Sequence, residues 1–161
     1  MKYFSQIESP IGVLTLFSNE NALTQLNWGS VDITKHINQN KSIQLETDLL
    51  AMARQEIIEY FKGHRTEFTL PLEPVGTPFQ VKVWNALKTI PYGETLSYQE
   101  LARLIGNPKA CRAVGGANKK NPIGLIIPCH RVIGASGKLT GFAGGIDVKS
   151  KLLKLEADRF R

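Results

Sequence analysis

The 161-residue sequence predicts an α+β protein built in two parts, a small antiparallel sheet with one helix over residues 1–74 and a mostly helical part containing a helix-turn-helix over residues 75–161. Three observations carry this expectation. The first 28 residues alternate short apolar runs with turn residues, the pattern of half-buried strands. The second half repeats helix-start signals, each followed by apolar residues at helical spacing. Charge also changes sign between the two parts: residues 1–75 hold 6 Lys+Arg against 9 Asp+Glu, whereas residues 76–161 hold 14 against 5, so the net +6 combines −3 with +9.

The elements follow in order. Lys2 to Ile7, Val13 to Phe17 and Leu23 to Trp28 read as strands, separated by the turns Ser9-Pro10-Ile11-Gly12 and Ser18-Asn19-Glu20-Asn21, and together they make an antiparallel meander. Ser30 to Ser42 is polar, lacks a period and reads as a loop. From Thr47 to Lys62 the residues Leu49, Leu50, Ala53, Ile57, Tyr60 and Phe61 recur at helical spacing, and Gly63 closes that helix. Pro71 to Gly76 reads as a linker where the charge reverses. Thr77-Pro78-Phe79-Gln80 then opens a helix with Thr as N-cap, Pro at N1 and Gln closing a capping box. Phe79, Val83, Trp84, Leu87 and Ile90 give it an apolar face, and Pro91-Tyr92-Gly93 breaks it. Ser97-Tyr98-Gln99-Glu100 is a second capping box, starting a helix with Tyr98, Leu101, Ala102 and Ile105 on one side. Gly106-Asn107-Pro108 stops it and starts the next helix within three residues, the pattern of a helix-turn-helix.

That next helix, about Lys109 to Lys119, has two unlike faces. Ala110, Ala113, Val114 and Ala117 fall in one apolar arc, with Arg112, Gly115, Gly116 and Lys119 opposite. Two interior glycines cost about 1 kcal/mol each relative to alanine. Bare backbone flanked by cations suits close approach to another surface, and the basic charge of this half makes a polyanion, first of all nucleic acid, the expected partner.

Pro128-Cys129-His130-Arg131-Val132 follows the apolar run Leu125 to Ile127 and sets a thiol beside an imidazole. A free thiol is only a few per cent ionised near neutrality, so a base or a cationic neighbour makes it a nucleophile, and His130 and Arg131 are candidates for both roles. Residues 136–145 form a glycine-rich loop without the ending of a phosphate-binding loop, which suits a mobile wall around a pocket. Ile146 to Arg161 reads as a closing helix with Val148, Leu152 and Leu155 inward. Glu156 sits on the edge of that face, either solvated or placed to orient His130.

Other classes are disfavoured. No apolar run reaches membrane-spanning length and the N-terminus lacks signal-peptide features, so a cytoplasmic protein is expected. Cys111 and Cys129 are then free thiols. Neither a CxxC motif nor a zinc-type cluster occurs and His36 and His64 read as surface residues, so no metal is expected.

Four stretches in order resemble the O6-alkylguanine-DNA alkyltransferase family, Gly76 to Trp84, Ile90 to Tyr98, Ala113 to Ala117 and Asn121-Pro122 through Val132, and two earlier ones, Tyr60 to Gly63 and Phe68 to Leu72, resemble it more loosely. The resemblance implies a ribonuclease H-like N-terminal sheet and a monomer acting on double-stranded DNA. The helix-turn-helix would enter the minor groove, Arg112 would fill the gap left in the base stack, and Ala113, Gly115 and Gly116 would permit that depth. An O6-alkylguanine would rotate into the protein, at a cost of a few kcal/mol that is lower for a poorly paired base. Tyr98 would crowd the flipped phosphate and donate to the base. Cys129, as thiolate, would take the alkyl group irreversibly from guanine, and from O4-alkylthymine too, one event per molecule.

The same resemblance makes His130, through a water, and then Glu156 the activating relay, and makes Asn121 the brace of the turn before the cysteine. Backbone near Val132 and Ala143 would read the guanine edge. Two departures stand out: Phe142 replaces a tyrosine of some relatives, and Gly124 replaces a proline, which implies a pocket wall more tolerant of bulky alkyl groups. A thiol peroxidase or cysteine hydrolase using Cys129 and His130 is the alternative enzyme class, and it would turn over more than once. A lesion-sensing DNA binder is the non-enzymatic alternative, against which Cys129 speaks.

Overall fold

The computed structural model describes residues 1–30, 32, 35 and 42–159, and the chain divides into two compact units, Met1–Pro74 and Val75–Arg161. In the first unit, β1 (Lys2–Ser9), β2 (Gly12–Ser18) and β3 (Leu23–Trp28) form the expected antiparallel meander. A further strand, β4 (Ser42–Gln44), pairs parallel to β1, so the sheet order is β3-β2-β1-β4. The sheet is therefore mixed, and the loop expected from Ser30 gives way to a strand at Ser42. The rest of that loop, with His36, lies mostly outside the described residues.

Helix α1 (Asp48–Phe61) is capped by Thr47, whose side chain accepts from the Leu50 amide, and Gly63 ends it in the left-handed region at φ 75°. Leu50, Ala53, Ile57 and Tyr60 are buried with Phe4, Leu14 and Leu16 of the sheet. Each large side chain withdrawn from water contributes roughly 1.5–3 kcal/mol. Glu56 is also buried on this helix, where it accepts from the Thr69 amide and hydroxyl and pairs with Arg65 at 3.4 Å. The expected linker begins later than its composition suggests. The Leu23 amide donates to the Pro71 carbonyl and the Glu73 amide to the Leu23 carbonyl, both at 2.9 Å, so residues 71–73 are fastened to β3.

The second unit opens with α2 (Pro78–Leu87) behind the expected Thr77–Gln80 capping box. Val83, Trp84 and Leu87 are buried, and the Trp84 indole donates to the Ala117 carbonyl at 2.8 Å. That ring lies so close to Gly76 that an added Cβ would sit 2.4 Å from it, which explains a glycine at this point. A two-residue strand β5 (Leu96–Ser97) leads directly into α3 (Tyr98–Leu104), again behind a complete capping box, Ser97 with Glu100.

Gly106, at φ 77°, turns the chain, and α4 (Cys111–Lys119) follows. It starts two residues later than expected. The Ala110 amide closes a turn onto the Asn107 carbonyl, and Gln99 holds the Pro108 carbonyl, so Lys109 belongs to that turn. The chain then passes through a 3₁₀ turn (Cys129–Arg131) to β6 (Val132–Ile133), which pairs parallel to β5, and ends in α5 (Ile146–Arg159). No helix among the described residues is long and apolar enough to cross a membrane.

Candidate active site

Cys129 does not lie on a strand. Pro128 has no amide donor for a ladder, the Cys129 amide folds back onto the Ile127 carbonyl, and the Arg131 amide returns to the Pro128 carbonyl, which together wind residues 129–131 into a 3₁₀ turn. Strand alternation therefore does not set the relation of Cys129 to His130. Three residues per turn does, and it fans successive side chains apart by about 120°. The neighbouring thiol and imidazole point in different directions, although both are buried.

What His130 meets is Glu156. Its Nε2 donates to Glu156 Oε2 at 2.6 Å, and Arg131 Nε donates to the other carboxylate oxygen at 2.6 Å. Arg131 also donates through Nη1 to the Ile90 carbonyl at 2.7 Å and lies over the Tyr92 ring. Arg131 thus serves the carboxylate, and the expectation that it could act on the thiol is corrected. Glu156 is 2% exposed, so the solvated alternative for it fails. Along α5 the buried residues are Lys149, Leu152 and Glu156, a stripe rotated from the expected one, with Val148 and Leu155 only half-buried.

The electrostatics follow from burial. Burial works to raise the Glu156 carboxyl, but its hydrogen bond from His130 and its pairing with Arg131 prevail and hold it down to about 2. Burial lowers the His130 imidazole, against the opposing pull of Glu156, so it is neutral at neutral pH. With its proton on Nε2 facing a carboxylate, its Nδ1 is left as a basic nitrogen, and that atom is buried with no hydrogen-bond partner. Burial pushes the Cys129 thiol up, opposed by Asn121, the charge of Lys149 and the backbone amides of Cys129 and Leu125. The resting form is therefore the thiol, which needs a base to become a nucleophile.

Asn121 braces the approach to this turn, donating to the Ile127 carbonyl at 2.8 Å and accepting from the Ile123 amide at 3.0 Å. Within the loop it closes, Gly124 is buried and Leu125 adopts φ 71°, a left-handed backbone unusual for a branched residue. The β5–β6 pairing matches Leu96 with Val132 and Ser97 with Ile133, and so sets Tyr98, first residue of α3, beside the end of the cysteine turn. The Tyr98 hydroxyl donates to the Thr140 carbonyl at 3.2 Å, in the glycine-rich loop. Phe142 of that loop is buried and Ala143 is exposed.

On α4 the buried residues are Val114, Ala117 and Asn118, while Arg112, Ala113, Gly116 and Lys119 are exposed and Gly115 is half-buried against the Tyr98 ring. Ala113 therefore leaves the apolar arc expected for it and joins the exposed face. Asn118 takes the inward place and donates to the Cys129 carbonyl at 3.3 Å, tying this helix to the cysteine turn. Sequence reasoning missed Asn118, Lys149 and the left-handed Leu125. A polar residue in line with Val114 and Ala117 was the available signal for Asn118. Lys149 offered none, because a lysine on a helix reads as solvated. Cys111, at the start of α4, is a half-buried free cysteine, and among the described residues no group of three or more His, Cys, Asp or Glu is arranged to hold a metal.

Comparison with known proteins matches both units of the chain to one family. Residues 78–158 match the family model of the 6-O-methylguanine DNA methyltransferase DNA binding domain, and residues 2–74 match the ribonuclease-like domain of the same family. A methylated-DNA-protein-cysteine methyltransferase of Methanosarcina acetivorans is 50% identical over 154 residues, covering 96% of this chain and 97% of the relative. The crystal structure of the Mycobacterium tuberculosis O6-methylguanine methyltransferase is 48% identical, covers 99% of this chain and 94% of its own, and superposes with a TM-score of 0.86. The same organism's protein solved in complex with DNA is 47% identical, over 98% of this chain and 94% of its own, with a TM-score of 0.83. With both units matched in order, the chain belongs to the 6-O-methylguanine DNA methyltransferase family.

Proposed function

We propose that this methyltransferase repairs double-stranded DNA by taking the alkyl group of O6-alkylguanine onto Cys129, once per molecule, as a monomer without a cofactor. The observation that carries the reading is the buried relay beside the thiol. Glu156 fixes the His130 proton on Nε2 at 2.6 Å and leaves Nδ1 as a buried base without a partner. His130 Nδ1 accepts the thiol proton through a water, because the turn fans the two side chains apart. Sulfur then bonds to the alkyl carbon as the carbon–O6 bond breaks. The bonding electron pair leaves with guanine, which takes up a proton and is restored. The thioether on Cys129 is stable, and nothing in the reaction remakes the thiol.

DNA approaches the exposed face of α4. Arg112 enters the base stack from the minor groove, and Ala113, Gly115 and Gly116 keep the helix thin enough for close contact. Tyr98 flanks the flipped base, able to exchange its bond to the Thr140 carbonyl for one to the lesion, while Asn121 braces the turn that presents Cys129. Val132, Phe142, Ala143 and Gly124 line the pocket. Phe142 has no hydroxyl, so a hydrogen bond to the lesion oxygen falls to Tyr98 or to backbone. The Val132 carbonyl is engaged by Lys149, so reading of the guanine edge at this point shares that oxygen. O4-alkylthymine, with an alkyl group on an equivalent oxygen, is the second substrate.

The test is mass spectrometry of the protein after exposure to duplex DNA carrying O6-methylguanine. One added methyl group on the Pro128–Val132 peptide is expected, with Cys129→Ala retaining DNA binding and transferring nothing. More than one event per molecule, or transfer by Cys129→Ala, overturns the reading.

A further inference from the structure

Lys149 belongs neither to the α4 face nor to the histidine relay, yet it is fully buried, at 0% exposure. Its Nζ donates to the Val132 carbonyl and, at 3.1 Å, to the Thr140 carbonyl. The same ammonium lies 5.9 Å from the centre of the Tyr98 ring and 6.0 Å from that of Phe142. Among the described residues no carboxylate forms an ion pair with it. Burying an ammonium costs several kcal/mol, which two carbonyls and two aromatic faces offset only in part. A methionine would fill the same space without that cost. The charge itself is therefore the feature to explain.

We propose that Lys149 is a positioning residue for alkyl transfer, whose ammonium clamps the backbone after the nucleophile to the glycine-rich loop and holds positive charge toward Cys129 as the thiolate forms. The proposal rests on Cys129 being the acceptor. The clamp joins three pieces of the site through two carbonyls. Val132 follows the cysteine turn, and Thr140 also receives the Tyr98 hydroxyl, so one oxygen takes donors from α3 and α5. The electrostatic part is reciprocal. Burial lowers Lys149 and Cys129 opposes it, while burial raises Cys129 and Lys149 is among the groups that oppose it. The other charged and titratable groups here are Tyr98 of α3, His130 and Arg131 of the turn, and Glu156 of α5. The charges of Arg131 and Glu156 are taken up by each other, and His130 is held neutral. Among the described residues no acid is paired with Lys149, so its positive charge is not taken up by an ion pair.

The experiment compares wild type with Lys149→Met, Lys149→Gln and Lys149→Arg, following methyl transfer from duplex DNA and from the free base against pH, with DNA affinity and thermal unfolding measured alongside. Removing the charge is expected to move the pH–rate profile to higher pH and to slow transfer about tenfold at neutral pH on both substrates. DNA affinity is expected to stay unchanged, and the arginine variant to restore the position of the profile. Folded methionine and glutamine variants with the wild-type profile overturn the proposal. As a check independent of any variant, wild-type Cys129 is expected to prefer iodoacetate over iodoacetamide more strongly than a free cysteine derivative does, because the anionic reagent is drawn to the ammonium. An equal preference overturns the electrostatic role. If wild type itself fails to acquire a methyl group at Cys129, the assignment of the acceptor has failed instead, and the two failures are told apart.

Discussion

Glu156 holds two partners with one carboxylate, a neutral imidazole that must be oriented and a guanidinium that must be neutralised. Glu156→Gln keeps the size and one acceptor but leaves Arg131 a buried cation without its counter-ion, so a loss of about 3–5 kcal/mol in unfolding free energy is expected from denaturant titration. Transfer should slow as well, because an amide does not fix the proton of His130 on Nε2. The pH dependence has a definite sign. The His130 value is lowered in the fold, so the unfolded chain binds more protons and stability begins to fall as pH drops through the ordinary imidazole range near ~6.5. Glu156 is lowered from 4.5 to about 2, so its contribution is complete above the ordinary carboxylate value and is lost as pH falls toward about 2. Unfolding measured from pH 8 to 3 should show the second loss in wild type and not in Glu156→Gln. At this scale the sequence exposed the thiol and imidazole because they are adjacent. It placed Glu156 at the right spacing on the last helix but could not decide its burial, which depends on Arg131 arriving from 25 residues away. Lys149 was hidden for the same reason, since its partners are backbone carbonyls that no residue type reveals.

Among the elements, the helices were legible and the short strands were not. Thr47, Thr77 and Ser97 all cap where their side chains suggest, because a cap is a local hydrogen bond within four residues. Strands β4, β5 and β6 span three, two and two residues, too few for a period, and each exists only through a parallel partner distant in the chain. Helix α4 shows how function can depart from local propensity. Gly116 is exposed, and a Cβ built there meets nothing within 4 Å, so packing does not require a glycine. Gly116→Ala should therefore raise stability by about 0.5–1 kcal/mol, the intrinsic helix preference. It should also weaken binding to duplex DNA, since the methyl group projects from the face proposed to enter the groove. Thermal unfolding and DNA titration of the same variant test both halves. If the variant binds duplex as tightly as wild type, close approach to DNA does not account for the glycine.

For the whole molecule, the reversal of charge along the chain coincides with the division into two units, since residue 75 carries no charge and the acidic and basic parts map onto Met1–Pro74 and Val75–Arg161. No charged residue lies between Glu73 and Lys82, so the charge reversal brackets this boundary without fixing its position, and the connector itself depends on how β3 captures Pro71 and Glu73. Not all of the basic charge is available to a partner. Arg131 and Lys149 are buried and serve the site, whereas Arg103, Lys109, Arg112, Lys119 and Lys120 are exposed on and around the helix-turn-helix. If about four of these meet phosphates, the logarithm of the DNA association constant should fall against the logarithm of salt concentration with a slope of roughly −3.6, or roughly a hundredfold between about 50 and 200 mM. Reaction with the free alkylated base involves no phosphate and should change little over that range. Fluorescence titration of duplex at several salt concentrations, beside the free-base rate, tests the division of labour between exposed and buried cations. A free-base rate that falls as steeply as duplex affinity would mean that salt acts on the cysteine site itself, and the buried pair of cations would then be open to solvent in a way their present burial contradicts.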